Sequence, residues 1–120
     1  MIRIKRAYEA PEPSDGERYL VDRLWPRGVK KEVLDIAAWP KEAGPSDELR
    51  KWFGHVPERY PEFRRRYRRE LKGNQAVQSL LEAARRGDIT LVYSARDEEH
   101  NQAVVLKEWL EESMSHKRAS

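Results

Sequence analysis

The chain predicts a small single-domain α/β sandwich, in which helices flank a short and at least partly parallel sheet. Three observations carry that prediction. Ile89-Thr90-Leu91-Val92-Tyr93 is β-branched and aromatic throughout, the composition of a covered strand. Tyr19-Leu20-Val21 is a second apolar run without polar alternation, which suits a strand buried on both faces. Between and after these runs, apolar residues recur at helical spacing, and strands interleaved with helices build layered α/β domains.

Taken in order, residues 2–8 place Ile2, Ile4 and Tyr8 on one side and Arg3 and Lys5 on the other, as in a half-solvated strand. Pro11, Pro13, Asp15 and Gly16 make a turn-rich loop. The second strand stops at Asp22-Arg23-Leu24-Trp25-Pro26-Arg27-Gly28, where proline and glycine forbid further pairing. A further short strand is expected near residues 36–39. Gly44-Pro45-Ser46-Asp47 delivers a Ser or Asp cap to a helix whose apolar face is Leu49, Trp52 and Phe53.

Pro57 opens a longer helix with Tyr60, Phe63, Tyr67 and Leu71 on one face. Gly73 ends it, Asn74 caps a third helix carrying Val77, Leu80, Leu81 and Ala84, and Gly87 ends that one. Asp97 is the expected cap of the last helix, with Glu98 and Glu99 in its first turn and an apolar stripe from Ala103 to Leu110. One domain is expected over residues 1–114, with a frayed tail at 115–120.

Composition excludes several chemistries. There is no cysteine in the 120 residues, so disulfides, thiolate metal sites, iron–sulfur clusters and cysteine nucleophiles are absent. The six glycines are scattered singly, which leaves no glycine-rich phosphate loop. No His-x-x-x-His pair occurs, and neither a metal nor a cofactor is expected. Neither Ser46 nor Ser94 lies in a Gly-x-Ser-x-Gly elbow. No apolar run is long enough to span a bilayer and the first residues lack an apolar signal core, so a cytoplasmic setting without a membrane partner is expected. A formal charge of +3 is only a weak basic bias.

The chemistry is predicted by position. If the strands ending at Val21 and Tyr93 are parallel neighbours, their carboxyl ends bring two distant polar segments to the edge where open α/β sheets bind ligands. One segment carries Asp22, Arg23 and Arg27; the other carries Ser94, Arg96, Asp97, His100 and Asn101. The loop with Ser46 is expected to join them. Arg23, Arg27, Ser46, Arg96, Asp97 and Asn101 are then the candidate ligand-binding residues, and Asp22 and His100 the candidate acid–base pair. Each also has a structural reading: an ion pair closing a strand end, a well-built turn, or a polar helix entry.

Residues 59–72 hold seven basic side chains and two acids, with Tyr60, Phe63 and Tyr67 interleaved. Arg64, Arg65, Arg68 and Arg69 are the residues that would track nucleic-acid phosphates. The aromatics fall on one helical face, however, as in an ordinary amphipathic core helix. Residues 97–112 hold six acids and one lysine, so the two helices are also suited to pair with each other, within one chain or across an interface of unknown oligomeric order.

Several blocks together resemble the YeaO-like family of small prokaryotic proteins, domain of unknown function 488. They are Val21-Asp22-Arg23-Leu24-Trp25-Pro26-Arg27-Gly28, Leu49-Arg50-Lys51-Trp52-Phe53-Gly54-His55, and Thr90-Leu91-Val92-Tyr93-Ser94-Ala95-Arg96-Asp97 with His100-Asn101-Gln102-Ala103. The likeness runs from about residue 2 to 110. It implies no substrate and no catalytic residue, since the family's function is itself unassigned. Relatives often carry an acid between the histidine and the proline, where this chain has Val56. The expected function is binding of a phosphorylated or carboxylated small molecule, a nucleotide among them, in an arginine-lined pocket with acid–base chemistry. The alternatives are a nucleic-acid-binding module and a homo-oligomeric or partner-binding protein.

Overall fold

The computed structural model describes residues 1–119, with side chains up to residue 115. Three strands, β1 (Ile2–Arg6), β2 (Glu17–Leu20) and β3 (Ile89–Tyr93), form one wholly parallel sheet in the order β1-β3-β2. Tyr19 pairs with Leu91 and Ile4 with the same residue from the other side. The helices are α1 (Lys31–Leu34), α2 (Asp47–Phe53), α3 (Tyr60–Leu71), α4 (Gln75–Arg86) and α5 (Gln102–Ala119). The α/β class expected from the sequence is the fold observed.

Every residue of β3 is buried, as a central parallel strand between two covered faces requires. Ile89, Leu91 and Tyr93 join Ile2, Ile4, Tyr19 and Val21 in the larger core, closed by Phe53, Phe63, Tyr67, Leu80 and Leu106 from α2 to α5. Val92 turns the other way, with Ala7, Leu20 and Leu34, into a smaller core under the 22–39 segment. Burying a side chain of this size is worth roughly 1.5–3 kcal/mol, so the four long apolar faces on one side of the sheet are the chief source of stability.

Two glycines set the approach of the chain to the sheet. Gly16 has φ +64, and a Cβ placed there would lie 2.1 Å from the Asp88 carbonyl oxygen, which accepts the Glu17 amide at 3.1 Å. Only glycine satisfies both the backbone angle and the contact. A Cβ on Gly44 would lie 2.9 Å from the Val21 carbonyl oxygen, so glycine lets the 43–46 loop pass against the end of β2.

A buried charge cluster lies below the sheet. Asp15 accepts from Arg18 at 2.7 Å and from Lys5 at 3.2 Å, while Arg18 donates twice to the Leu34 carbonyl. Burial alone pushes the Asp15 carboxyl up, but the Glu12 amide, Lys5 and Arg18 outweigh it and hold the group below the ordinary aspartate range.

Some boundaries differ from the sequence reading. β1 stops at Arg6 because the Glu9 side chain takes the Arg6 amide and the Glu9 amide returns to the Arg6 carbonyl; Tyr8 is therefore exposed. The strand expected at 36–39 reduces to one bridge, Tyr19 to Ala38. Pro57 opens a separate 3-10 turn, Pro57–Arg59, ahead of α3. Asp97 does not cap α5. Its Oδ1 accepts the Glu99 and His100 amides and closes an independent turn, and Asn101 Oδ1 takes the Val104 amide as the actual cap. The acids of 97–99 thus stand before the helix rather than in its first turn. The backbone of α5 continues to Ala119, through most of the tail expected to fray; the side chains of 116–119 and all of residue 120 lie outside the described residues.

Candidate functional site

The parallel pairing of β2 with β3 carries Asp22 and Ser94 to the same edge of the sheet, side by side. Ser94 donates to Asp22 Oδ2 through its hydroxyl at 2.5 Å and its amide at 3.0 Å, and Gln102 Nε2 donates to Oδ1. Trp39 Nε1 donates to the Asp22 carbonyl at 2.7 Å. Burial pushes the Asp22 carboxyl up, and the Ser94 and Gln102 donors pull it down; the net shift is upward.

Beside this knot is a cavity of about 250 Å³. Asp22, Ser94 and Gln102 form one wall; Arg23, Arg50, Lys51 and His55 bring the cationic and imidazole groups; Phe53, Phe63, Pro45 and Ala95 line the rest, with Leu24 at the edge. The Ser46 hydroxyl caps α2 by accepting the Leu49 amide at 3.2 Å, and α2 in turn presents Arg50 and Lys51. Gly54 ends that helix in the left-handed conformation, and His55 follows in the same region at φ +59. A β-carbon residue held there is strained by about 1 kcal/mol or more, a cost that recurs at functional sites.

The arginines divide by role. Arg23 Nε donates to the Pro45 carbonyl at 2.8 Å, which ties the loop before α2 to the end of β2. Arg50 reaches Asp47 at 3.5 Å through one terminal nitrogen, while its Nε is buried with no hydrogen-bond partner. An unsatisfied buried donor costs about 1–3 kcal/mol, more on a charged group.

Of the residues expected to bind or react, Asp22 and Arg23 line this cavity. Ser46 lies behind it, its amide and hydroxyl both donating to Glu70 at 2.8 and 2.6 Å. Arg27 and Arg96 are exposed and outside the lining, and Tyr8 donates to the Arg27 carbonyl at 3.2 Å. Asp97 and His100 pair with each other at 2.8 Å, with the imidazole edge-on to Tyr60, also outside the lining. Asn101 is buried as the α5 cap, its Nδ2 donating to the Asp97 carbonyl. The sequence reading missed Arg50, Lys51, His55 and Gln102 as lining residues, although Arg50 to His55 lay within a quoted motif. The basic pair Arg50-Lys51 in the last turn of a glycine-terminated helix was the available signal.

The arginine-rich helix pairs most of its charges with carboxylates of the same chain. Arg64 pairs with Glu108 and Arg68 with Glu112, each at 2.7 Å, across α3 and α5. Arg65 and Arg66 both grip Glu62, whose carboxyl is pulled down to about 2 by those hydrogen bonds. Arg66 and Arg59 lie over the Trp52 ring at 4.5 and 5.5 Å, and Arg68 over Trp109 at 5.1 Å. Arg69 alone of the four expected phosphate contacts has no carboxylate partner among the described residues. The complementarity of the basic and acidic helices is thus met within one chain.

No group of three or more metal-ligating side chains occurs among the described residues, and none of their helices is long and apolar enough to cross a membrane. Known proteins give the chain its place. It is 46% identical over 110 residues to the uncharacterised protein YeaO of Escherichia coli, covering 91% of this chain and 96% of that one. Uncharacterised proteins of Mycobacterium tuberculosis and Mycobacterium bovis are each 40% identical over 109 residues, covering 91% of this chain and 92% of theirs. No solved structure matches significantly. The family model matching residues 1–120 is described as the inactive DUF488-N3 subclade. With both the model and the relatives spanning nearly the whole chain, this protein belongs to the YeaO-like DUF488 family.

Proposed function

We propose that this protein binds a small phosphorylated or carboxylated molecule in the cavity beside Asp22, and that it holds the molecule without turning it over. The observation that carries the reading is the convergence of Arg23, Arg50, Lys51 and His55 on one cavity beside the fixed Asp22–Ser94 edge. An anion oxygen there would take charge-assisted hydrogen bonds from these cationic side chains, each roughly twice as strong as a neutral one.

Asp22 supports binding over catalysis. Its two carboxylate oxygens are engaged by Ser94 and Gln102, so it holds the strand ends and the start of α5 in place rather than presenting a free base. His100, the other candidate for proton transfer, is paired with Asp97 away from the lining. The description of the matching subclade as inactive agrees with a ligand-holding role.

Amide and arginine side-chain NMR during titration with inorganic phosphate and with acetate tests the reading. Shifts should concentrate on Arg23, Arg50, Lys51, Gly54, His55 and Ser94 and should saturate. Perturbations confined to Arg27, Arg96 or the exposed face of α3 would sink it.

A further inference from the structure

We infer that the ligand of this cavity is an anion carried on a compact apolar body, and that Leu24 supplies the surface against which that body packs; this rests on the anion-binding reading above. The four exposed large apolar side chains among the described residues are Met1, Tyr8, Leu24 and Val33, and of these only Leu24 lines the cavity. It is 60% exposed.

Leu24 is held out, not left loose. On one side Arg23 is tied to the Pro45 carbonyl at 2.8 Å; on the other the Trp25 indole donates to the Val29 carbonyl at 2.6 Å. These bonds anchor its two neighbours, so the leucine is presented at the mouth on a braced segment. Apolar area displayed there gains free energy only when something apolar covers it. Phe53, stacked on Phe63 at 4.3 Å, adds to the same apolar lining.

Charge and size narrow the class. The basic side chains of Arg50 and Lys51 on the lining call for an anionic acceptor, which an apolar molecule alone lacks. The volume of about 250 Å³ lies below the roughly 300–1,000 Å³ of sites for drug-sized ligands, which favours a body of one ring or a short branched chain over a nucleotide. Monocyclic or branched short-chain carboxylates and phosphate monoesters have both parts.

The test is titration of the full chain with matched probes: acetate against benzoate, and inorganic phosphate against phenyl phosphate. Within each pair the ring-bearing anion should bind about tenfold more tightly, the increment expected from covering a leucine-sized apolar surface. Whichever head group binds better identifies the anion. Leu24→Ala should remove most of that increment, lowering the affinity for the ring-bearing anions far more than for the simple ones. Equal affinity within each pair overturns this inference and leaves the anion reading standing. Absence of binding by all four probes overturns both, and phenol binding as tightly as benzoate overturns the requirement for charge.

Discussion

Asp22 and Ser94, 72 positions apart in the chain, are joined twice through one atom: the Ser94 hydroxyl at 2.5 Å and its amide at 3.0 Å both donate to Asp22 Oδ2. With Gln102 on the other oxygen, a single carboxylate fastens the end of β2, the end of β3 and the first turn of α5. The edge of the cavity is therefore fixed before any ligand arrives, the condition for a precise binding site.

Breaking that junction should cost stability in graded steps. Ser94→Ala removes one charge-assisted bond and should destabilise the fold by about 1.5 kcal/mol. Asp22→Asn keeps one accepting oxygen and sets its new amide donor against either Ser94 or Gln102, and should cost about 3 kcal/mol. Urea unfolding followed by tryptophan fluorescence measures both. Equal, negligible losses would show that the strand ends are held by packing alone.

Part of the acid sensitivity should come from Asp15, the buried carboxylate of the Lys5–Asp15–Arg18 cluster. Its folded pKa lies below the ordinary aspartate value, so it contributes stability above that value and loses it as pH falls through the folded one. The wild-type melting temperature should thus decline once the pH drops below about 4. Asp15→Asn leaves Arg18 buried without its counter-charge and should cost about 3–5 kcal/mol at pH 7. The same variant should show a shallower acid-side decline. A parallel decline in both proteins would assign acid sensitivity to other carboxyls.

The α3–α5 ion pairs predict a small effect. Arg64 and Glu108 are each about two-fifths exposed, and such pairs contribute about 1 kcal/mol or less. Arg64→Ala and Arg68→Ala should each change stability by no more than that. Fluorescence anisotropy with a short oligonucleotide should show no binding at physiological salt. Tight, strongly salt-dependent binding abolished by these two substitutions would restore the nucleic-acid reading.

The elements whose identity depends on local pattern were legible in the sequence. β3 declares itself by five covered residues in a row, and Ser46, Asn74 and Gly87 mark helix ends by their own chemistry. What was not legible depends on competition between neighbours. Asp97 and Asn101 are both good caps; the structure uses Asp97 for a turn of its own and leaves the helix to Asn101. Tertiary contacts likewise reduce residues 36–39 to one bridge.

The site divides in the same way. That Asp22 and Ser94 meet follows from parallel strands, so the location of the edge was readable. Which arginines face the cavity was not. Arg27 looked favoured by its Pro-Arg-Gly setting and is exposed, while Arg50 looked like one more residue of an amphipathic helix and lines the cavity. That distinction depends on how the 43–46 loop passes Val21 and sets the position of α2, a three-dimensional relationship with no sequence period.

The most direct measurement is thermal unfolding of the wild type, Arg50→Ala and Arg27→Ala over a concentration series of inorganic phosphate, short carboxylates and phosphate monoesters at fixed ionic strength. A ligand at about 100 times its dissociation constant adds roughly 2.7 kcal/mol, a shift of several degrees in a domain of this size. The account predicts a saturable rise with at least one of these anions in the wild type and Arg27→Ala, and its loss in Arg50→Ala. A rise that survives Arg50→Ala, or disappears in Arg27→Ala, would contradict it and move the site out of the cavity.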